Sequence, residues 1–347
     1  MQARLQVGAA AAQDRGIIGR RYRGVTEALT WVLTDGKAGT HNGALGLAEA
    51  VGLPVVDKHI RSGLPWRWLP PVLWPRGVLG VGAGGDPLEP PWPRLLVSAG
   101  ERSVGPALEI KRRSGGATYC VHIQHPRVDP ARFDLVVVSA HDRLAGPNVR
   151  VTVGALHRVT QARLEDAAAR FAAAFADLPR PLVAVLIGGA NRVYRFDRST
   201  AERLADGLVA MARDSGCGLL VTASRRTGPG NEAILRDRLR DLPAVIWDGT
   251  GENPYFAYLG LADALVVTGD SVNMVSEACF TGKPVHVFHL PGGEDTKFGR
   301  FHDALAESGA TRPFDGRLES WPCEALDERS ALADEIRRRL GDSGAAA

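Results

Sequence analysis

Two short loops in the second half of the chain carry residues suited to binding phosphate. The first contains Gly188-Gly189 after an apolar run. Because neither residue has a Cβ, backbone amides there can approach an anion closely, although a simple tight turn is the alternative interpretation. The second loop consists of Ser224, Arg225, Arg226 and Thr227. Two guanidinium groups between two hydroxyls suit a diphosphate, since arginine binds phosphate oxygens in a bidentate fashion. A solvated surface loop is the alternative for this segment.

A third loop, with the helix that it starts, adds a helix cap and a carboxylate. The loop contains Thr268, Gly269, Asp270 and Ser271. Either of its last two residues can cap the helix, and free amides at a helix start also bind phosphate. Glu277 lies among apolar residues of that helix, so its carboxylate needs a partner. An arginine could form an ion pair with the carboxylate, or the two hydroxyls of a ribose could donate hydrogen bonds to it.

One loop of the first half combines an acid, a cation and an imidazole. Histidine is suited to proton transfer near neutral pH, so His41 is a candidate general base, with Asp35 as its orienting partner or as the base itself. A structural residue at a helix start is the alternative for His41. Lys37, Thr40 and Asn42 are candidate substrate contacts. Because Lys37 precedes the second glycine, the loop is not a Walker P-loop.

Metal and cofactor binding are not expected from the sequence. The nearest histidine pair, His122 and His125, has a spacing more typical of strand and loop structure. His125 and Asn253 are further candidate substrate contacts. The four cysteines form no CxxC pair, so neither a zinc knuckle nor a disulfide framework is expected. Three of them lie in apolar runs typical of buried thiols, and a reducing compartment fits best.

These loops need a scaffold, and short apolar runs alternate with helix-period segments along the chain. Strands are predicted at 29–34, 55–60, 95–98, 118–124, 135–139, 149–153, 182–187, 218–222, 244–247, 264–267 and 285–290, the last being the final strand. Helices are predicted at 104–113, 160–178, 200–213, 231–240, 272–280 and 327–340, together with one that ends near Val51. This alternation predicts an α/β fold of two facing Rossmann-like domains, each a doubly wound parallel sheet. Ligands of such sheets bind beyond the carboxyl ends of the strands.

The domain boundaries follow from the restart of this pattern after the proline pair at 179 and 181. We predict a disordered extension over 1–27, a first domain on the acceptor side over 28–157, a linker helix over 158–179, a nucleotide-binding domain over 180–324 and a C-terminal helix and tail over 325–347. With 347 residues, of which 45% are hydrophobic, the chain is large enough for two cores.

Composition restricts the partners. The net charge of +3 argues against a polybasic nucleic-acid binder. No apolar stretch approaches the roughly 20 residues of a membrane span, so a cytoplasmic location is expected, with peripheral association at the inner face of a membrane as an extension of it. A Trp- and Arg-rich segment could contact lipid, or its tryptophans could pack in a core; it contains Arg61, Trp66, Arg67, Trp68, Trp74 and Arg76.

The chain resembles known families at several of these motifs. The segments 36–50 and 268–290 are similar to the glycine-rich loop and the nucleotide-sugar site of GT-B enzymes that add N-acetylglucosamine to lipid intermediates. More specifically, the chain resembles the mitochondrial-fission (elongated-mitochondria) family in its bacterial branch. That resemblance rests on TDGKAGTHNG, HIQHPR, IGGANRVYRF, TASRRT, NPYFAYL and TGDSVNMVSEA.

The resemblance implies a nucleotide-sugar-dependent GT-B glycosyltransferase that acts by direct displacement on a lipid-linked or envelope acceptor. In those enzymes the helix glutamate that Glu277 matches holds the ribose. Two alternatives stay open: a nucleotide-sugar 2-epimerase on the same fold, and a non-catalytic recruitment or scaffold protein, as eukaryotic members of the family help to recruit a dynamin-related protein.

Overall fold

The structure is a computed structural model that describes residues 29–61 and 84–345. The predicted extension over 1–27 and the tryptophans of the Trp- and Arg-rich segment lie outside the described residues. The chain divides into two compact units. Unit 1 comprises the described residues up to Val137, Gly146–Arg150 and the residues from Ala333 onward. Unit 2 comprises Val138–Ala145 and Val151–Leu332.

The elements of the first half form a six-stranded sheet in the order β2-β1-β3-β4-β5-β6. They are β1 (Thr30–Thr34), α1 (Ala38–Val51), β2 (Val55–His59), β3 (Leu95–Ala99), α2 (Val104–Arg113), β4 (Tyr119–Ile123), β5 (Leu135–Ser139) and β6 (Val149–Thr152). The strand pairs from β2 to β5 are parallel. Strand order reverses between β1 and β3, so the loop after β1 opens at a topological switch point.

A second six-stranded sheet, in the order β12-β11-β10-β7-β8-β9, forms unit 2. Its elements are α3 (Gln161–Phe171), β7 (Leu182–Ile187), α4 (Arg198–Ser215), β8 (Gly218–Ala223), α5 (Pro229–Leu239), β9 (Ala244–Ile246), α6 (Tyr255–Leu261), β10 (Ala264–Thr268), α7 (Val272–Cys279), β11 (Val285–Phe288), α8 (Lys297–Glu307) and β12 (Thr311–Pro313). Every one of its strand pairs is parallel. The order reverses between β7 and β10, as in a Rossmann sheet, which makes the ends of those two strands the expected ligand position.

The middle strand β7 explains why unit 2 has helices on both faces. All six of its residues are buried. Leu182, Ala184 and Leu186 pack in one hydrophobic cluster, whereas the alternate residues pack in another. Because successive side chains of a strand point to opposite faces, a continuous apolar run buries both.

The predicted fold class is confirmed, and most predicted strands agree with the structure to within one or two residues. Three elements of the second half were missed: α6, α8 and β12. The prediction that the strand at 285–290 ends the sheet is therefore wrong, because β12 adds a further strand beside β11. A last helix, α9 (Glu328–Ala345), replaces the predicted 327–340. The helix α3, predicted as a linker, lies in unit 2.

Candidate functional site

The three loops predicted to bind phosphate meet at one edge of unit 2, where β7, β8 and β10 end. The amide of Gly188 donates to Thr268 Oγ1 (2.7 Å), and that hydroxyl donates to a carboxylate oxygen of Asp270 (2.7 Å). The amide of Gly189 donates to the other oxygen of Asp270 at 3.0 Å. The sheet order therefore brings together residues that are about 80 positions apart in the sequence.

The two glycines are required by close packing between the loops. A Cβ on Gly188 would lie 2.2 Å from Asp270 Oδ1, and one on Gly189 would lie 2.1 Å from the carbonyl oxygen of Arg226. Both amides already donate to side chains of the neighbouring loop, so they are not free to hold a phosphate. The glycine pair thus allows the loops to pack closely, and other groups of this edge are the ones with free hydrogen-bonding capacity.

The two arginines of the second loop have different surroundings. The guanidinium of Arg226 forms an ion pair with Asp270 at 2.8 Å. Burial raises the pKa of Asp270, whereas the Gly189 amide, the Thr268 hydroxyl and Arg226 lower it. Arg225 is exposed, and no hydrogen bond or ion pair of its side chain occurs within the described ranges. Arg225 is consequently the guanidinium that is available to an incoming anion.

The hydroxyls of the same loop hold its shape. Ser224 Oγ and Thr227 Oγ1 both donate to the carbonyl oxygen of Gly188. Thr227 is buried, and Ser224 Oγ also accepts from the amide of Arg226 at 3.2 Å. Both hydroxyls therefore stabilise the turn that presents Arg225.

The start of α7 provides further anion-binding groups at this edge. Ser271 is its N-cap, and the hydroxyl of Ser271 accepts from the amide of Met274 at 3.4 Å. The amides of Val272 and Asn273 precede the first intrahelical hydrogen bond, and the first turn holds no acidic residue. Free amides and the positive end of a helix dipole are groups of the kind that bind phosphate in other proteins.

Glu277, in the second turn of α7, has a tyrosine as its partner. Tyr255 Oη donates to Glu277 Oε2 at 2.5 Å. Burial raises the pKa of the Glu277 carboxyl from 4.5 to about 7, against the lowering effects of Tyr255 and Arg163. Asn253 Oδ1 accepts from the amide of Tyr255 at 3.0 Å, so Asn253 stabilises the start of α6 and thereby positions the tyrosine.

In unit 1, Asp35 follows β1 at the switch point but does not lie against His41. Its carboxylate contacts Lys37 at 2.9 Å and Arg102 at 3.9 Å. The side chain is only 6% exposed. Among the residues that the structure describes, Asp35 Oδ1 has no hydrogen-bond partner. Asp35 is thus paired with Lys37 and Arg102, and His41 has other partners.

His41 lies between the end of β1 and the end of β2. Its Nδ1 is 3.3 Å from Thr34 Oγ1, and its Nε2 is 3.4 Å from Asp57 Oδ2. The same oxygen lies 3.1 Å from His59 Nε2, and the two imidazole rings are 5.3 Å apart. Thr34 and His59 are register partners in adjacent strands, which explains how α1 can place His41 against both. Asp57 is therefore the carboxylate that lies beside the His41 imidazole.

The remaining candidate substrate contacts are Thr40, Asn42 and His125. Thr40 is partly buried, and its methyl group would lie 3.3 Å from a Cβ on Gly100 in the loop after β3. Asn42 is also partly buried, on α1. His125 Nδ1 accepts from the amide of Arg127 at 3.0 Å, within a turn. No hydrogen bond or ion pair in the described part of the chain joins Thr40 or His125 to the partners of His41.

His122 is part of the core of unit 1. Its ring is fully buried, and its Nδ1 lies 2.9 Å from Ser98 Oγ. Burial lowers the pKa of His122 to about 3, so the imidazole stays neutral. This agrees with the sequence-based interpretation of the histidine pair as strand and loop structure.

Sequence reasoning missed three residues that the structure brings to these positions: Asp57, His59 and Tyr255. Asp57 and His59 are two apart at the end of a predicted strand, a spacing that places both on one face. That signal could have identified the pair. Nothing local could show that Tyr255 reaches Glu277, because the contact joins two helices.

Comparison with known proteins places this geometry in context. The family model described as "Mitochondrial fission ELM1" matches residues 38–340. The mitochondrial fission protein ELM1 of Arabidopsis thaliana is 34% identical over 281 residues, which are 73% of this chain and 65% of that protein. The protein RP120 of Rickettsia prowazekii is 23% identical over 357 residues, covering 89% of this chain and 98% of its own.

A solved structure shares the fold. The UDP-GlcNAc 2-epimerase of Methanocaldococcus jannaschii matches with a TM-score of 0.56 and 12% identity, over 90% of this chain and 99% of the epimerase. No helix within the described residues is long and apolar enough to cross a membrane. Since the family model covers most of the chain, the chain belongs to the mitochondrial fission ELM1 family and has a GT-B-like fold of two Rossmann-like domains.

Proposed function

We propose that unit 2 binds a nucleotide sugar and that the chain is a glycosyltransferase that acts by direct displacement. The diphosphate would bind to Arg225 and to the first amides of α7. The ribose would donate its hydroxyls to Glu277. These groups all belong to unit 2, so the proposal for donor binding depends on that unit alone.

One observation carries this proposal. Beside the switch point of the unit 2 sheet, an exposed guanidinium without a described partner stands on the loop after β8, which is fixed by the loops of Gly188 and Asp270. An arginine held ready in this way loses little conformational entropy when an anion binds, and charged hydrogen bonds to phosphate are among the stronger ones. A protein of the same fold is named as a UDP-GlcNAc 2-epimerase, which supports the choice of a nucleotide sugar as ligand.

The transfer step follows from ordinary displacement chemistry. An acceptor hydroxyl attacks the anomeric carbon, the bond from that carbon to the diphosphate oxygen breaks, and the hydroxyl proton passes to a base. His41 is the proposed base: a ring with its hydrogen on Nδ1 donates to Thr34 and leaves the Nε2 lone pair to take the proton. Asp57 would stabilise the resulting imidazolium. Arg225 and the helix start would stabilise the departing diphosphate without a metal at that position.

Donor binding can be tested by calorimetry with the full chain and a panel of uridine, guanosine and cytidine diphosphates and their sugars. We expect one ligand class to bind, and Arg225→Ala to weaken that binding. Arg213→Ala is a matched control, because Arg213 is exposed in the last turn of α4, at the opposite edge of the sheet. Binding that Arg225→Ala leaves unchanged would contradict the proposed site. No binding of any member of the panel would favour the recruitment alternative.

Product analysis separates transfer from epimerisation. A 2-epimerase would convert the bound nucleotide sugar in the absence of any acceptor, with the nucleotide still attached. A transferase would release the nucleoside diphosphate instead, rapidly with an acceptor and slowly with water. Formation of an epimerised nucleotide sugar would contradict the transferase proposal while leaving donor binding intact.

We extend the proposal to a lipid-linked or membrane-surface acceptor. Its basis is the Trp- and Arg-rich segment, of which the structure describes Arg61 alone. Tryptophan suits the membrane interface, and arginine suits anionic head groups. In a flotation assay at low salt, the chain should rise with anionic vesicles and should not rise with neutral vesicles. Equal behaviour with both vesicle types would contradict a surface role for this segment.

A further inference from the structure

The end of β2 in unit 1 brings together two imidazoles and a carboxylate. One ligand atom each from His41, Asp57 and His59 lies within 4.8 Å of the other two. The side chains are 19%, 37% and 47% exposed, in that order, so the cluster is accessible to solvent. No other such group of three metal-ligating side chains occurs within residues 29–61 and 84–345.

Two of the separations within the cluster are close to those between ligands of a metal ion. Asp57 Oδ2 is 3.4 Å from His41 Nε2 and 3.1 Å from His59 Nε2. Ligands at the 2.0–2.1 Å of a tetrahedral zinc site are about 3.3 Å from each other. Two histidine nitrogens and one carboxylate oxygen are also a donor set of transition-metal sites that keep an open position.

Neighbouring groups position two of the three residues, His41 and His59. Thr34 Oγ1 lies against Nδ1 of His41 and can accept its hydrogen, which leaves Nε2 free to bind a metal. Such an outer partner is typical of metal-binding histidines. At the strand end, Asp86 Oδ2 accepts from the amide of His59 at 2.7 Å.

The nearest cation on the strand points away from the cluster. Lys58 lies between Asp57 and His59, so its side chain leaves the other face of β2. Its ammonium lies 4.8 Å from the centre of the Trp31 ring and donates to the carbonyl oxygen of Pro87. It therefore does not compete with a bound cation for the Asp57 carboxylate.

We propose that His41, Asp57 and His59 bind one divalent transition-metal cation of the zinc type, with at least one position open to water or a substrate hydroxyl. This site goes beyond the proposed function and does not depend on donor binding in unit 2. A metal on Nε2 would occupy the lone pair that His41 needs as a base. In the metal-bound form, the metal would lower the pKa of an acceptor hydroxyl at its open position, so that the imidazole would no longer be needed as the base.

Titration of the full chain, stripped of metal with a chelator, by Zn²⁺ in a calorimeter tests the site. We expect one Zn²⁺ per chain, and a rise in the melting temperature with Zn²⁺ because the ion binds the folded state. Asp57→Asn and His59→Ala should each weaken binding by at least about tenfold. Both residues are exposed, so each variant should fold, which the melting curve without metal checks.

Two controls address adventitious binding. His289→Ala removes an exposed histidine of unit 2, and Cys323→Ser removes a partly exposed thiol. Both should bind Zn²⁺ as the unmodified chain does. Absence of Zn²⁺ binding, or equal affinity in Asp57→Asn, would overturn the proposal. Nucleotide-sugar binding measured on the same variants should be unchanged, so that failure of the metal site and failure of the donor site are distinguishable.

Discussion

At the scale of single residues, Glu277 shows how the charge of a partly buried carboxylate can change near neutral pH. Burial raises the pKa of its carboxyl to about 7 even though Tyr255 donates a hydrogen bond to it. Near neutral pH the group therefore exists in both protonation states. A ribose that donates two hydroxyls to it would favour the charged form, because the protonated acid has fewer acceptor sites.

Replacing Glu277 with glutamine should change how stability depends on pH. The carboxyl keeps its proton up to about pH 7 in the folded state but loses it near pH 4.5 when unfolded. Between these values the folded state holds the extra proton, so the free energy of unfolding falls as pH rises through this window. Glu277→Gln removes that fall, which amounts to about 3 kcal/mol at most.

Chemical denaturation at pH 5 and pH 8 measures this effect. The difference in stability between the two pH values should be smaller in Glu277→Gln than in the unmodified chain. Glu307→Gln, on α8, is a suitable exposed control and should behave like the unmodified chain. An unchanged pH dependence in Glu277→Gln would contradict a raised pKa of this carboxyl.

The two neighbouring arginines should respond differently to substitution. Arg225→Ala should weaken donor binding by about 1.5–3 kcal/mol and leave the melting temperature unchanged, since it removes a charged hydrogen bond to ligand alone. Arg226→Ala should lower the free energy of unfolding by about 1–3 kcal/mol, because buried Asp270 loses its cation. Calorimetry and denaturant titration of both variants check this contrast. Equal effects of the two substitutions on folding stability would show that the Asp270 pair contributes little.

At the scale of elements, the three loops of unit 2 that follow β7, β8 and β10 pack against one another at the sheet edge. Hydrogen bonds join the loops to one another. The Gly188 carbonyl accepts from the hydroxyls of Ser224 and Thr227, and the Asp270 carboxylate accepts from the amide of Gly189. Because the loops pack closely, an added side-chain atom in one loop would collide with another loop and lower the stability of the fold.

A single added methyl group at this edge should therefore be costly. In Gly189→Ala the new Cβ would meet the backbone of Arg226, which cannot move aside as a flexible side chain would. We expect a loss of about 1–3 kcal/mol in the free energy of unfolding, as in other overpacked sites. Gly230→Ala in α5 is the matched control, because its Cβ would meet nothing within 4 Å. That control should be neutral or stabilise the protein by up to about 1 kcal/mol. Similar stabilities of the two variants would contradict close packing at Gly189.

At the scale of the whole molecule, the proposed base and the proposed donor site belong to different units. If His41 is the general base, His41→Ala should lower turnover by about 10²–10⁴-fold while donor affinity stays the same. Asp57→Asn should lower turnover more than Asp35→Asn, because Asp57 is the carboxylate beside the imidazole. A transferase assay combined with donor calorimetry checks both parts. Full activity of His41→Ala would remove this histidine from the mechanism.

Much of this protein could be predicted from sequence alone. Alternating apolar runs and helix-period segments determine an α/β chain with parallel sheets, because each pattern encodes which faces an element must bury. The same patterns place the loops of Arg225, Asp270 and His41 after strands. Family-specific motifs such as TGDSVNMVSEA identify the family, since they include loop and cap residues that are not dictated by core packing.

The partners of these residues were decided only by the tertiary structure. Strand order brings Gly189 to Asp270. The amide of Gly189, which the sequence predicts to bind phosphate, therefore donates to the Asp270 carboxylate instead. Register pairing of β1 with β2 gives His41 the partner Asp57 in place of the nearby Asp35. Local patterns determine what an element is, but a side chain pairs with whatever group the packing of distant segments places within about 3 Å of it.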